Sequence, residues 1–483
     1  MVISRPLAGT WPSQGEDASM LFGGVFERFL TDSPLSVMSR ATIEHALSAS
    51  ALDALFDRTA ERGYTRELLF STTVDLMTLV VGGKALHVQA AYQHLRDRVP
   101  VTLKCVYDKL QHIETGVSAG LVAHVSGRCE ALITALGGGC KSLLPGYRVR
   151  ILDGNHLAAT QRRLGVTRGR TAGPLPGQSL VVLDPALMLV TDVVPCEDAH
   201  TQERALIDQI LPLVRARDVW VADRNFCTVE FLCEVVDRRA YVVTRRHGNL
   251  RVEAETGYGA EVETDRGWVG ERRVWVCWGG RRVLRARQVR VRLKTPTGDG
   301  DSEVEILTNL PARVSAARVA EVYLKRWKIE GAFHELTVAL NCEVNTLGYP
   351  RAALFGFCVA VAAYNVLAVL KAALRAVHGE RKVQEDVSGY YMALEWAMVY
   401  AGMMIALPAS EWEVFGRMSS KELAGYLREW AGKINLKKIK KAPPRKPTRN
   451  RPRRIKDKSP HVSTARLLNE AKKTRQAKAN RNQ

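Results

Sequence analysis

The residues that stand out chemically are three acids, an arginine and a tyrosine. In residues 323–337, YLKRWKIEGAFHELT, Tyr323, Arg326, Glu330 and Phe333 recur three or four apart, so a helix places them on one face. Val322, Ile329 and Leu336 recur seven apart and mark the side that meets a core. An acid beside a phenol and a guanidinium suits a site that binds metal and phosphate together. Upstream, Asp153 and Asp223 each end a strand-like run, YRVRILD at 147–153 and VWVAD at 219–223. Taken singly, each acid is more simply a cap or a turn residue. Taken together, carboxylates without a His or Cys cluster are hard oxygen donors that select Mg²⁺ or Mn²⁺. Two such ions about 3.5–4 Å apart activate a water or a 3′-hydroxyl and stabilise the leaving oxygen of a phosphodiester. Asp153, Asp223 and Glu330 are therefore the expected catalytic and metal-holding trio, provided the fold brings them together.

The elements that must position them follow from periodicity. Residues 1–137 read as a helical N-terminal domain that binds DNA. Helical spacing covers 43–56, 67–81 and 101–113, and 99–114 suits a recognition helix capped by Thr102. Gly137, Gly138 and Gly139 read as a linker. From residue 147 the period changes to two. Strands at 147–152, 179–183 and 187–194, a helix at 200–214, a strand at 219–222, a helix at 228–236 and a strand at 240–244 form the order of a ribonuclease H-like layer. The expected fold is α/β: a mixed sheet flanked by helices, with residues 147–245 as the first part of the catalytic core and 313–378 as the second. Residues 246–312 read as an inserted, strongly basic β-domain with a turn at Gly279-Gly280. Its tryptophans, Trp268, Trp275 and Trp278, are candidates to stack on a base. The apolar run 352–374 is long enough for a bilayer, but Tyr364, Asn365 and its small residues fit a buried helix behind the catalytic one, with no membrane partner. Residues 379–435 read as a helical C-terminal region.

Charge names the partner. The chain of 483 residues carries 70 Lys and Arg against 50 Asp and Glu, a net +20, which points to polyanions. Residues 436–483 hold eighteen of those cations and two acids, so 18 − 2 = +16 resides there. With five prolines the segment reads as a disordered basic tail that grips phosphate in a salt-sensitive, sequence-blind way. Nine cysteines, an odd number without a CxxC pair, fit reduced thiols in a cytoplasmic protein rather than a disulfide scaffold or zinc knuckle. The first seventeen residues show no basic stretch followed by an apolar run, so no signal peptide is expected.

With these residues in view, the chain resembles the DDE transposases of bacterial insertion sequences, in the group with a Tyr-x2-Arg-x3-Glu-x6-Lys signature. Tyr323, Arg326 and Glu330 match that spacing within YLKRWKIE, LDGN at 152–155 resembles the first aspartate motif, and ADRNF at 222–226 the second. The signature's final Lys is Thr337 here; Lys325 and Lys328 are nearby but differ in helix phase. The resemblance implies two metal ions on Asp153, Asp223 and Glu330, and Tyr323 and Arg326 orienting phosphates. It implies Arg224, Lys325 and a tryptophan of the insertion, such as Trp275, as DNA contacts. It further implies cleavage of double-stranded DNA at terminal inverted repeats, hairpin ends, joining to target DNA, and a homodimer on paired ends. A nuclease of the same fold without strand joining, or a DNA-binding derivative weakened in catalysis, are the alternatives.

Overall fold

A computed structural model describes residues 23–62, 67–297, 300–442 and 460–481. Seven helices come first: α1 (Gly24–Asp32), α2 (Pro34–Ala46), α3 (Ala49–Thr59), α4 (Phe70–Val81), α5 (Val88–His94), α6 (Leu103–His112) and α7 (Thr115–Leu136). The stretch 43–56, expected as one helix, is two. Leu47 leaves helical backbone at φ −127°, and α3 restarts to bury Leu52, Leu55 and Phe56. Thr102 does cap α6, its Oγ1 accepting from the Cys105 amide at 3.4 Å, which satisfies one orphan donor of the first turn. Gly137 ends α7 in the left-handed region at φ 65°, a conformation a Cβ disfavours. The three glycines are not a linker, however. Gly138 lies against a later helix so closely that a Cβ would stand 2.0 Å from the Ala372 carbonyl oxygen, and its own carbonyl accepts from Arg375 Nε at 2.7 Å.

The segment from residue 148 to 308 builds one sheet, with one short strand outside it. Its strands are β1 (Arg148–His156), β2 (Gly173–Leu175), β3 (Gln178–Asp184), β4 (Leu189–Cys196), β5 (Asp218–Ala222), β6 (Tyr241–Arg245), β7 (Val252–Ala254), β8 (Val262–Thr264), β9 (Gly267–Trp278), β10 (Arg281–Leu293) and β11 (Glu303–Thr308), with α8 (Val229–Asp237) between β5 and β6. The order is β4-β3-β1-β5-β6-β11-β10-β9-β7, with β8 on β9 and β2 apart. β1, β5 and β6 run parallel, while β3 runs antiparallel to β1 and β4 antiparallel to β3. Residues 200–214, expected as a helix, form two short 3₁₀ segments, Glu203–Gln209 and Leu211–Leu213; Pro212 lacks the amide a continuing helix needs. The insertion is not a separate domain. β11 pairs with β6, Thr308 opposite Val243, so 246–312 continues the same sheet and covers what would be an open edge. Gly279 and Gly280, at φ 55° and 77°, make the expected two-residue turn between β9 and β10.

Nor is the insertion a free cationic surface. Residues 246–312 hold twelve Lys and Arg against ten Asp and Glu, and the two signs meet across the strands. Arg282 pairs with Glu253, Arg285 with Glu255, Arg290 with Glu261, and Lys294 with Glu263. These pairs reach across β9 from β10 to β7, β8 and the residues beside them, and such partly exposed pairs contribute tenths of a kcal/mol to about 1 kcal/mol each.

After β11 come α9 (Ala316–Leu324), α10 (Lys328–Ala339), α11 (Pro350–His378), α12 (Glu380–Asp386), α13 (Gly389–Ala406), α14 (Ala409–Arg417) and α15 (Ser420–Lys433). α11 is long and apolar enough to cross a membrane, yet its most apolar window is wholly buried among other elements of the fold. α7 and α15 pack along it, and α14 packs on α2; the Phe26 and Trp412 rings lie 5.4 Å apart. The N-terminal and C-terminal helices thus share one core, where the sequence suggested two separate bodies. Part of the basic tail also departs from expectation. Residues 443–459 lie outside the described residues, but β12 (His461–Ser463) pairs parallel to β2, His461 opposite Gly173. α16 (Thr464–Arg481) follows directly. The buried Ser463, Thr464, Ala465 and Leu467 give this end of the chain an anchor that its charge obscured.

Candidate active site

Parallel pairing sets the first two acids side by side. Leu152 of β1 lies opposite Ala222 of β5, so the next residues sit side by side where that pairing stops: Asp153 within β1, still paired with β3, and Asp223 just past the end of β5. Alternation turns Leu152 and Ala222 into one core and Ile151 and Val221 into the other. Asp153 thereby shares the face that α10 approaches. Asp223 caps the following turn, its Oδ1 accepting from the Asn225 amide at 2.8 Å.

The third acid arrives through Arg326. The stretch 323–337 is not one helix: α9 stops at Leu324, a 3₁₀ turn covers Lys325–Trp327, and α10 restarts at Lys328. Val322, Ile329 and Leu336 are buried as their spacing predicted. Tyr323 is buried too, and burial raises its phenol above the usual value. Arg326 Nη1 donates to Asp153 Oδ2 at 2.8 Å, and Nη2 to Glu330 Oε1 at 3.1 Å. One guanidinium therefore joins the first acid to the third. Burial opposes its charge, but Asp153, Tyr323, Glu330 and Asp223 outweigh that and raise its affinity for the proton.

The electrostatics are those of crowded carboxylates. Burial lifts Asp153 to about 6; Arg326 works against this, while Asp223 and Glu203 add to it. Glu203 is the acid that sequence reasoning missed. Its carboxylate lies on Gly154, where a Cβ would stand 1.9 Å from Oε1, and accepts from Asn225 Nδ2 at 3.4 Å. Burial raises Glu203 as well, opposed by the Asn225 bond and reinforced by Asp223. Nothing in the spacing of TQERAL marks it out, because its place depends on the 3₁₀ path of that segment.

The donor chemistry fits a hard divalent cation: all oxygen, negative, and destabilised by mutual repulsion. The geometry is two plus one. Among the described residues no three His, Cys, Asp or Glu side chains stand within common reach of one ion. Arg326 is the cation that lies between Asp153 and Glu330.

A cleft of about 1330 Å³ opens beside Glu203, lined also by Arg224, Asn225, His247, Arg251 and Trp278, while Asp153, Asp223 and Glu330 are not among its lining residues. Of the expected DNA contacts, Arg224 is exposed in this cleft and Lys325 is exposed on the turn before α10. Trp275 is half-buried and faces away from the core side chains Val274 and Val276, with the Arg282 guanidinium 5.9 Å from its ring. Trp268 lies beneath Arg292 and Lys294. Trp278, at the hairpin tip and 69% exposed, is the tryptophan of the three that lines the cleft. Thr337 bonds back to the Phe333 carbonyl at 2.9 Å, and Lys328 donates to the Pro185 carbonyl at 3.3 Å and does not line the cleft.

Residues 144–366 match the family model described as "Transposase DDE domain". No curated protein matches the chain. Among solved structures, the chain is similar to a piggyBac transposase in a synaptic complex with hairpin DNA, at 12% identity over 79% of this chain and 84% of that one, with a TM-score of 0.40. The segment that carries Asp153, Asp223 and Glu330 thus matches a transposase DDE domain, and the protein is an enzyme that acts on DNA.

Proposed function

We propose that this protein is an insertion-sequence transposase that cuts double-stranded DNA at terminal inverted repeats and joins the freed 3′ ends to target DNA. The observation that carries the reading is that Asp153 and Asp223 follow paired residues of two parallel strands, while Arg326 links Asp153 to Glu330. Strand ends and a helix backed by buried Ile329 and Leu336 are rigid supports, which phosphoryl transfer needs because positioning and charge stabilisation supply most of its catalysis. Asp153, Asp223 and Glu330 would hold Mg²⁺ or Mn²⁺, which supplies an activated oxygen nucleophile and neutralises charge on the leaving oxygen.

The remaining steps belong to the chain's own groups. Arg326, whose fork bonds Asp153 and Glu330 here, would turn to a phosphate bidentately once those acids hold the cation, beside the buried Tyr323. Arg224 faces the same cleft and meets the backbone of the bound strand; Trp278 receives an unstacked base. Attack of water on phosphorus releases a 3′-hydroxyl. That hydroxyl displaces an oxygen of the opposite strand to close a hairpin, which a second water reopens before joining. Two copies on paired ends, in the cytoplasm, complete the reading, with the ribonuclease H-like order β4-β3-β1-β5-β6 as its frame. A direct test supplies full-length protein with Mg²⁺, pre-cut duplexes ending in the repeats that flank its coding region, and a target plasmid. Joined product is expected. Cleavage of uncut ends without any joining would leave a nuclease of the same fold instead.

A further inference from the structure

We infer that α16 and the arginine-rich segment 162–170 form one surface that grips the backbone of duplex DNA beside the candidate active site, an inference that rests on the reading of the protein as a DNA-cutting enzyme. The two segments lie about 300 residues apart in sequence and are brought together by the β12–β2 pairing. Pro460 O accepts from the Gly173 amide at 2.9 Å. Arg466 Nε donates to Asp198 Oδ2 at 2.8 Å, and α16 packs on the turn Gly165–Thr167. Past this anchor every residue from Lys472 to Asn480 is exposed. That length of α16 has no apolar partner and presents Lys472, Lys473, Arg475 and Lys478 to solvent.

Beneath it, Arg162, Arg163, Arg168 and Arg170 are exposed on the segment that follows β1, the strand that carries Asp153. Residues 157–177 contain no Asp or Glu, and α16 contains one, Glu470, against six Lys and Arg. The contrast with the insertion decides where DNA lies. There the cations are matched by glutamates across β9; here, among the described residues, these arginines and lysines form no ion pair and Glu470 is the one acid in the two segments. A rigid row of unneutralised cations recognises closely spaced phosphates, and binding releases the counterions condensed on the duplex. The Asp198–Arg466 pair and the bond from Arg466 to the His200 carbonyl join this surface to the segment that carries Glu203, so a duplex held here passes the cleft.

The test measures binding of the full chain to a 40-base-pair duplex by fluorescence anisotropy from low to moderate salt. Three multiple variants are compared with the unmodified chain: K472A/K473A/R475A/K478A, R162A/R163A/R168A/R170A, and R282A/R285A/R292A in the insertion. Circular dichroism checks that each folds; the first two sets are exposed side chains. At about 0.9 for each phosphate no longer neutralised, each of the first two variants should flatten the slope of log K against log salt by about 2–4, and the insertion variant by less than about 1. Unchanged slopes in both of the first two variants, or the larger change in the insertion variant, would overturn the surface assignment while leaving a DNA enzyme. Failure of the unmodified chain to bind duplex at all would overturn both.

Discussion

Asp153→Asn isolates the charge on which the site turns. In the folded chain the Asp153 carboxyl titrates at about 6 rather than 3.8, mainly because it is buried, with Asp223 and Glu203 adding repulsion and Arg326 only partly offsetting it; its side chain is 18% exposed. At roughly 1.4 kcal/mol per pH unit, ionised Asp153 costs the folded state about 3 kcal/mol. The folded chain binds this proton more tightly than the unfolded chain, so between pH 4 and pH 6 stability falls as pH rises. Below pH 4 both states are protonated and the cost vanishes; above pH 6 it is complete. Asparagine keeps the shape and removes the charge. Asp153→Asn should therefore be about 3 kcal/mol more stable than the unmodified chain at pH 8 and equally stable near pH 4. With an unfolding entropy of about 2.1 cal/mol/K per residue, that is a rise of about 3 °C in Tm if the whole chain melts together. Calorimetry at the two pH values measures it. A variant less stable at pH 8, or a gain that is the same at both pH values, would refute the reasoning, because neither can come from a buried carboxylate that repels its neighbours.

Two further substitutions test the frame around the site. Gly138→Ala places a methyl group 2.0 Å from the backbone oxygen of Ala372, which cannot swing aside as a side chain would; it should cost about 1–3 kcal/mol, read as a lower denaturation midpoint, and an unchanged midpoint would show that this crossing is looser than described. Arg150 and Asp184 form an ion pair at 2.7 Å with each side chain 7% exposed, so Asp184→Ala should cost about 3–5 kcal/mol by leaving a buried guanidinium unpaired, whereas Arg150→Met with Asp184→Leu should recover most of that loss.

How much of this was legible depended on the range of the interaction. Asp153 and Asp223 could be picked out because each ends an apolar strand run, and Arg326 and Glu330 because helical spacing is local; a 3₁₀ turn interrupts their helix and still leaves them one turn apart. Glu203 could not, since its contact with Gly154 depends on the 3₁₀ path of residues 203–209, where the sequence spacing suggested a helix. The insertion read as basic because its arginines cluster in sequence, while the glutamates that neutralise them lie on or beside β7 and β8, across β9, and are assigned only by register. The end of the chain read as a disordered tail because charge and proline dominate its composition. Three residues, His461–Ser463, suffice to dock it on β2, and so short a strand leaves no periodic signal.

The central claim is that three carboxylates distant in sequence act as one cation-holding set on a phosphodiester. Its most direct test is Mg²⁺-dependent cleavage of duplex ends by the unmodified chain and by Asp153→Ala, Asp223→Ala and Glu330→Ala, with duplex binding measured alongside. Losing several kcal/mol of charge stabilisation should slow each variant by about a thousandfold or more while binding persists. Any one of the three cutting at the unmodified rate would contradict the account.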